Sequence, residues 1–135
     1  MRMSKAIALA IAAAGLGFGG AVVAQQTAPT QAVGLATPKT VALDLGPEIE
    51  GMAGRQLRLR FVTLEPGGIL PVHNHRDRPT VEFILKGSPT EFRGDQQRAV
   101  PEGEAVVSDR STTHWWRNDT RETVTFVAAD IFRPQ

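Results

Sequence analysis

The chain contains only three histidines, and two of them, His73 and His75, sit two apart in the run Pro71-Val72-His73-Asn74-His75. The stretch from Ile69 to His75 reads as extended. Side chains at i and i+2 of a strand project from the same face. Two imidazoles side by side can supply two ligands of one metal ion. His114 follows 39 residues after His75, at the start of another extended run. Closure of a barrel would set it opposite the pair. Imidazole nitrogen suits Fe, Mn, Zn, Ni and Cu to differing degrees. The pattern points to one divalent metal ion on His73, His75 and His114. A bare H-x-H is more often a surface dyad, and a lone histidine more often packs in a core, so the surroundings must decide.

The elements that would carry these residues are strands. Leu57, Leu59 and Phe61 alternate with Arg58 and Arg60, the period-two pattern of a half-buried strand. Pro66-Gly67-Gly68 should end it. Ile69 to His75 and Thr80 to Leu85 are further strands, with Gly87 stopping the second. Thr90 to Arg93 and Gln97 to Val100 flank Gly94-Asp95, a hairpin signal. Ala105 to Val107, His114 to Arg117 and Thr123 to Ile131 complete the set, and Thr40 to Leu45 reads as a short first strand. No stretch after residue 40 has a helical period. Many short strands at regular spacing predict an all-β sandwich or small barrel.

The start of the chain reads differently. Arg2 and Lys5 precede an apolar run from Ala6, and small residues at Val22 and Ala24 fit cleavage before Gln25. Residues 1–24 are expected to be a secretory signal peptide. Residues 25–39, rich in Gln, Thr, Ala and Pro, read as a flexible leader. The β domain is expected over 40–133. The expected location is periplasmic or secreted, with no stable membrane span after cleavage. The chain has no cysteine, which excludes disulfides and anchoring through a lipidated cysteine. Of the 15 basic residues, 13 remain without Arg2 and Lys5, against 14 acidic ones. This balance gives no electrostatic reason to expect nucleic acid as partner.

The residues around the histidines give the chain a resemblance to the cupin family. Gly67 stands five residues before His73, and His75 completes the H-x-H of the family's first motif. Phe83-Ile84-Leu85-Lys86-Gly87 looks like the strand and glycine that close it. Gly103, His114 and Asn118 fall at the spacings of the second motif, with Asp109 and Ser111 in its proline and second glycine slots. The resemblance implies a double-stranded β-helix, a jelly-roll barrel, with the metal inside and a pocket over it. It departs in one place. Counted back from Gly87, the family's metal-binding glutamate position holds Thr80, and Glu82 lies two residues on. Two residues of strand rise about 6.6 Å. Two arrangements stay open: three histidines with Glu82 beside them, or four ligands including Glu82.

Three histidine ligands would leave coordination positions open to a small molecule. An inward Glu82 could serve as a catalytic general base, its pKa raised by desolvation. An arginine partner is the competing expectation. Alternation places Thr80 and Trp116 on the same inward faces, as pocket lining. Asn118 is expected to cap a turn. Two function classes follow from the resemblance. One is a metal-dependent oxygenase or isomerase acting on a small molecule. The other is a non-catalytic module that binds or senses a small ligand or the metal. A tyrosine-dependent epimerase is disfavoured, since the chain has no tyrosine. A homodimer paired through the edge segment Thr40 to Leu45 is a further expectation.

Overall fold

The computed structural model describes residues 26–134, so the expected signal peptide lies outside the described residues. Eight strands account for the regular structure: β1 (Val33–Asp44), β2 (Gln56–Asn74), β3 (Thr80–Lys86), β4 (Thr90–Arg93), β5 (Gln96–Ala99), β6 (Ala105–Ser108), β7 (Thr113–Arg117) and β8 (Val124–Phe132). There is no helix among the described residues. The strands form one curled sheet in the order β5-β4-β7-β2-β8-β3-β6, and β1 adds to β2. The fold is all-β, as the spacing of short strands implies.

β2 is the axis of the structure because it serves two sets of neighbours. Residues 56–64 pair with β1 on one side and β8 on the other. Residues 69–74 pair with β7. Pro66-Gly67-Gly68 lies between the two regions and acts as a corner rather than an end. Gly67 has φ 73°. A Cβ on Gly68 would stand 2.7 Å from the Glu65 carbonyl oxygen, a distance that carbon and oxygen do not tolerate. Asn118 pins this corner. Its Nδ2 donates to the carbonyls of Leu64, Glu65 and Glu122, and its Oδ1 accepts from Thr120. The expected turn-capping role was therefore only part of its work.

β1 begins at Val33, inside the segment that reads as a leader. Its residues pair along β2 from Val33↔Ile69 to Asp44↔Gln56, with two register shifts. Backbone pairing makes the strand, and its side chains are mostly exposed. That is why residues 33–39 give no alternating signal.

The inward rows change character along the barrel. Leu64 and Val62 of β2, Ile84 of β3, Val106 of β6, and Val124 and Phe126 of β8 form the core with Val100 and Trp116. Towards the other end, the same rows continue as Arg60 and Arg58, Glu82 and Thr80, Ser108, and Asp130. The register sets these groups side by side, with Asp130 opposite both Arg58 and Thr80, and Thr80 opposite Ser108. So the buried face of β2 carries the arginines, while Leu57 and Leu59 face outward at 46% and 37% exposure. Apolar alternation alone suggests the reverse. An acid inside the barrel, Asp130, accounts for the inversion.

Candidate metal centre

His73 and His114 are direct cross-strand partners of β2 and β7, just past an irregularity between Leu70 and His73. His75 lies one residue beyond β2, held by a backbone hydrogen bond from its N–H to the Thr112 carbonyl at 3.0 Å. The three rings converge. His114 Nε2 is 2.9 Å from His75 Nε2 and 3.1 Å from His73 Nε2. Together they are the group of metal-capable side chains among the described residues, with ligand atoms all within 4.8 Å of one another.

The opposite nitrogen of every ring is anchored. His73 Nδ1 is 2.8 Å from the Pro71 carbonyl oxygen. His75 Nδ1 is 2.9 Å from the Arg78 carbonyl oxygen and 2.8 Å from Thr80 Oγ1. His114 Nδ1 is 2.7 Å from Glu91 Oε1. Carbonyl oxygens only accept, so Nδ1 of His73 and His75 carries the proton. A carboxylate imposes the same on His114. The Nε2 lone pairs of His73 and His75 are therefore free and aim at a shared centre. Burial lowers the pKa of His73 and of His75 to about 4, outweighing their carbonyl hydrogen bonds. Both rings are neutral at pH 7, the form that binds a metal.

Glu91 is the anchor that sequence reasoning missed. It is buried on β4 and its carboxylate accepts from His114, from Arg93 Nε at 2.6 Å and from Arg98 Nε at 3.1 Å. Burial pushes its carboxyl up, but the hydrogen bonds from His114 and Arg93 win and bring it to about 2. No motif marks Glu91. Only the pairing of β4 with β7 brings it to His114.

Glu82 is buried beside the histidines. Its Oε2 accepts from Ser108 Oγ at 3.1 Å, and its Oε1 is 4.0 Å from His75 Nε2. Burial raises its carboxyl to about 7, against the Ser108 hydrogen bond that lowers it. Thr80 and Trp116 stand one layer behind the cavity wall. Thr80 orients His75, and its hydroxyl donates to the Arg78 carbonyl at 2.9 Å. Trp116 meets the edge of His114 at 5.6 Å and stacks on Phe126 at 5.7 Å. Both are inward, as alternation predicts, but neither lines the open space: Thr80 touches His75 and Trp116 touches His114.

That space is a cavity of about 170 Å³ lined by His73, His75, Glu82, Arg60, Arg78 and Thr37, with Leu35, Val62, Leu70, Pro71, Phe126 and Ala128 as its apolar wall. Two of these, Leu35 and Thr37, come from the segment read as a leader. Of the nearby arginines Arg76, Arg78 and Arg117, only Arg78 lines the cavity. Arg76 is exposed, and Arg117 is bound to Asp119. No helix in the described residues is long and apolar enough to cross a membrane.

Comparison with known proteins agrees with this architecture. The sequence family described as "Cupin domain" matches residues 60–130. No curated protein matches the chain. An uncharacterized conserved protein with a double-stranded beta-helix domain from Klebsiella pneumoniae is similar at TM-score 0.53 and 16% identity, over 56% of this chain and 66% of that one. A predicted oxalate decarboxylase from Thermotoga maritima gives TM-score 0.52 and 16% identity, over 70% and 92%. An oxalate oxidase solved with glycolate gives 0.54 and 24% over 72% of this chain, which spans 50% of the oxidase. At these identities the likeness is one of fold.

Proposed function

The chain belongs to the cupin family, and from that premise we propose that it is an exported protein holding one divalent metal ion on His73, His75 and His114 beside a small-molecule cavity. The observation that carries this reading is the convergence of Nε2 atoms at 2.9 and 3.1 Å with each Nδ1 tied to an acceptor. Lone pairs facing one another at that distance repel. A cation at their centre turns the repulsion into attraction, and anchored Nδ1–H groups are the usual outer shell of histidine metal sites. The spacing also speaks to the ion. Donors about 2.1 Å from an ion lie about 3.0 Å apart at octahedral angles and about 3.4 Å apart at tetrahedral ones. The two short pairs, at 2.9 and 3.1 Å, are close to both values, so the spacing suits a first-row divalent ion of either geometry.

A divalent ion held by His73, His75 and His114 would supply Lewis acidity to a small molecule or water in the cavity. The chain supplies Glu82, a buried carboxyl beside His75 that can accept a proton and return it. Ser108 fixes one of its oxygens, leaving the other toward His75. The reading is a metal-dependent oxygenase or isomerase in which Glu82 moves the proton. Two structural neighbours carry names for chemistry on oxalate, a precedent for a small substrate on this fold.

Elemental analysis of the purified protein tests the metal, with His73→Ala/His75→Ala as control. One equivalent in the wild type and none in the double variant is expected, and a full equivalent in both would sink the site. Glu82→Gln should leave metal affinity within about threefold. A loss of tenfold or more would make Glu82 a fourth ligand.

A further inference from the structure

The cavity wall holds more positive charge than its own acids offset. Buried Asp130 faces three guanidinium groups. Arg58 binds it through two hydrogen bonds, at 3.0 and 2.7 Å, and stacks on Phe132. Arg60 Nη2 reaches the same carboxylate at 3.2 Å, and Arg78 Nη1 stands 3.8 Å away. One negative charge is thus shared among three positive ones. Arg58 is committed, whereas Arg60 and Arg78 line the cavity. Arg60 Nε is buried and has no hydrogen-bond partner. A buried donor left unpaired in this way is destabilising. The other acid in the wall, Glu82, accepts from Ser108 and makes no ion pair with either arginine. The arginines on the far side of Glu91 differ, because Arg93 and Arg98 are both paired with that carboxylate.

We propose that this cavity takes a small carboxylate, its anionic group held by Arg60 and Arg78. A guanidinium pair matches the geometry of a carboxylate and cannot discharge by losing a proton. The size limits the ligand. A volume of about 170 Å³ corresponds to five or six waters at about 30 Å³ each. That suits an acid of about eight non-hydrogen atoms. The apolar wall of Leu35, Leu70 and Phe126 suits a short carbon chain. The proposal rests on the metal reading only for where the far end of the ligand points.

Glycolate and glycolamide, matched in size and different in charge, test it by calorimetric titration of the protein with and without Mn(II). Glycolate should bind the Mn(II)-loaded protein at least tenfold more tightly than glycolamide, and the preference should persist, weaker, without metal. Arg78→Met should lower glycolate affinity at least tenfold without weakening Mn(II) binding. It keeps the backbone carbonyl that holds His75, and the Arg78 guanidinium meets Asp130 only at 3.8 Å, so the variant should fold even where Arg60→Met does not. Equal affinity for the two probes, or glycolate binding untouched by Arg78→Met, overturns the proposal. Failure of the metal reading looks different: no Mn(II) bound, with the glycolate preference intact in the metal-free protein.

A second observation is independent of the cavity. The outer face of the sheet carries one apolar row across five strands, Val41, Leu59, Ala129, Val81 and Val107, each the register partner of the next. Val41, Val81 and Val107 are 53, 50 and 66% exposed. With Leu43, Leu57 and Phe83 on adjacent rows, the patch amounts to roughly 600 Å² of apolar surface, the upper end for a monomer. Two such faces would bury about 1,200 Å², the lower limit of a standard interface. The named positions carry no charge, so like meets like without repulsion. We infer that a second copy of the chain covers this face about a two-fold axis. This places the partner on the sheet face, not on the edge of β1. Sedimentation equilibrium should give a dimer, and Leu59→Asp/Val81→Asp a monomer that keeps its metal affinity. A wild-type monomer at hundreds of micromolar, or a dimer that survives both aspartates, overturns the inference.

Discussion

The strongest test of the site is a residue that would touch no metal. Glu91 accepts the Nδ1 proton of His114 at 2.7 Å and so sets which nitrogen of that ring faces the centre. Its carboxyl is brought from 4.5 to about 2, although burial works the other way. A shift of that size corresponds to about 3 kcal/mol of interaction with its hydrogen-bonding and charged neighbours. Arg93 and Arg98 are 36% and 49% exposed, so solvent screens their share. About 2 kcal/mol is left for the buried contacts. In Glu91→Gln the amide oxygen can still accept from His114, but the NH₂ group then faces an arginine donor and the charge is gone. Outer-shell losses of this kind cost about ten- to a hundredfold in metal affinity. Expected for Glu91→Gln is a Kd raised about tenfold in a competitive chelator titration. Urea unfolding of the metal-free protein should show a loss of about 2 kcal/mol at pH 7. A folded Glu91→Gln with Kd within twofold of wild type would mean that His114 is not oriented through Glu91, and the tautomer argument for that ring would fail.

Thr80→Val should be mild, within about threefold in metal affinity, because the Arg78 carbonyl remains as acceptor for His75 Nδ1; a loss as large as that of Glu91→Gln would contradict the ranking. The metal-free protein should lose stability on acidification. His73 and His75 have folded pKa values of about 4 against 6.5 unfolded, so the unfolded chain takes up more protons between those limits and stability falls as pH falls. Glu82 opposes this, since its folded pKa of about 7 makes the native state the better proton acceptor from pH 7 down to 4.5. Between pH 7 and 4.5 the two histidines lose about 5 kcal/mol and Glu82 returns about half, leaving a net loss of about 2 kcal/mol. Glu82→Gln should steepen the decline in urea titrations, and a shallower decline would refute the assignment. Asn118→Ala leaves three corner carbonyls without their donor. It should cost about 3 kcal/mol and lower Tm by more than 10 °C, and a Tm within about 2 °C of wild type would show that the corner does not depend on it.

The histidine centre was legible because its spacing is local. H-x-H fixes two rings on one face whatever the rest of the chain does, and the second motif brings His114 with its own glycine and asparagine. The anchors were harder. Thr80 could be found, five residues from His75, but its role looked like lining because alternation tells which face a side chain takes and not what stands in front of it. Glu91 could not be found, since it reaches His114 only through the pairing of β4 with β7. Arg60 and Asp130 failed for another reason. Period-two patterns assume that the apolar face is the buried one, and on β2 that assumption inverts.

The inversion itself joins the two proposals. A strand whose leucines face outward and whose arginines face inward is unstable unless both departures are compensated. Asp130 compensates part of the inner one, and a bound anion would complete it at Arg60 and Arg78. The outer one has no compensation within the described residues, because Leu57, Leu59, Val81 and Val107 remain 37–66% exposed. Both faces of the same sheet therefore ask for a partner, one small and charged, the other extended and apolar. Because β2 and β8 supply residues to both faces, dimer formation and ligand affinity should be coupled. If they are, the monomeric Leu59→Asp/Val81→Asp variant should bind glycolate several-fold more weakly than the dimer. Equal affinity in the two states would separate the faces and leave the inversion of β2 as two unrelated adaptations.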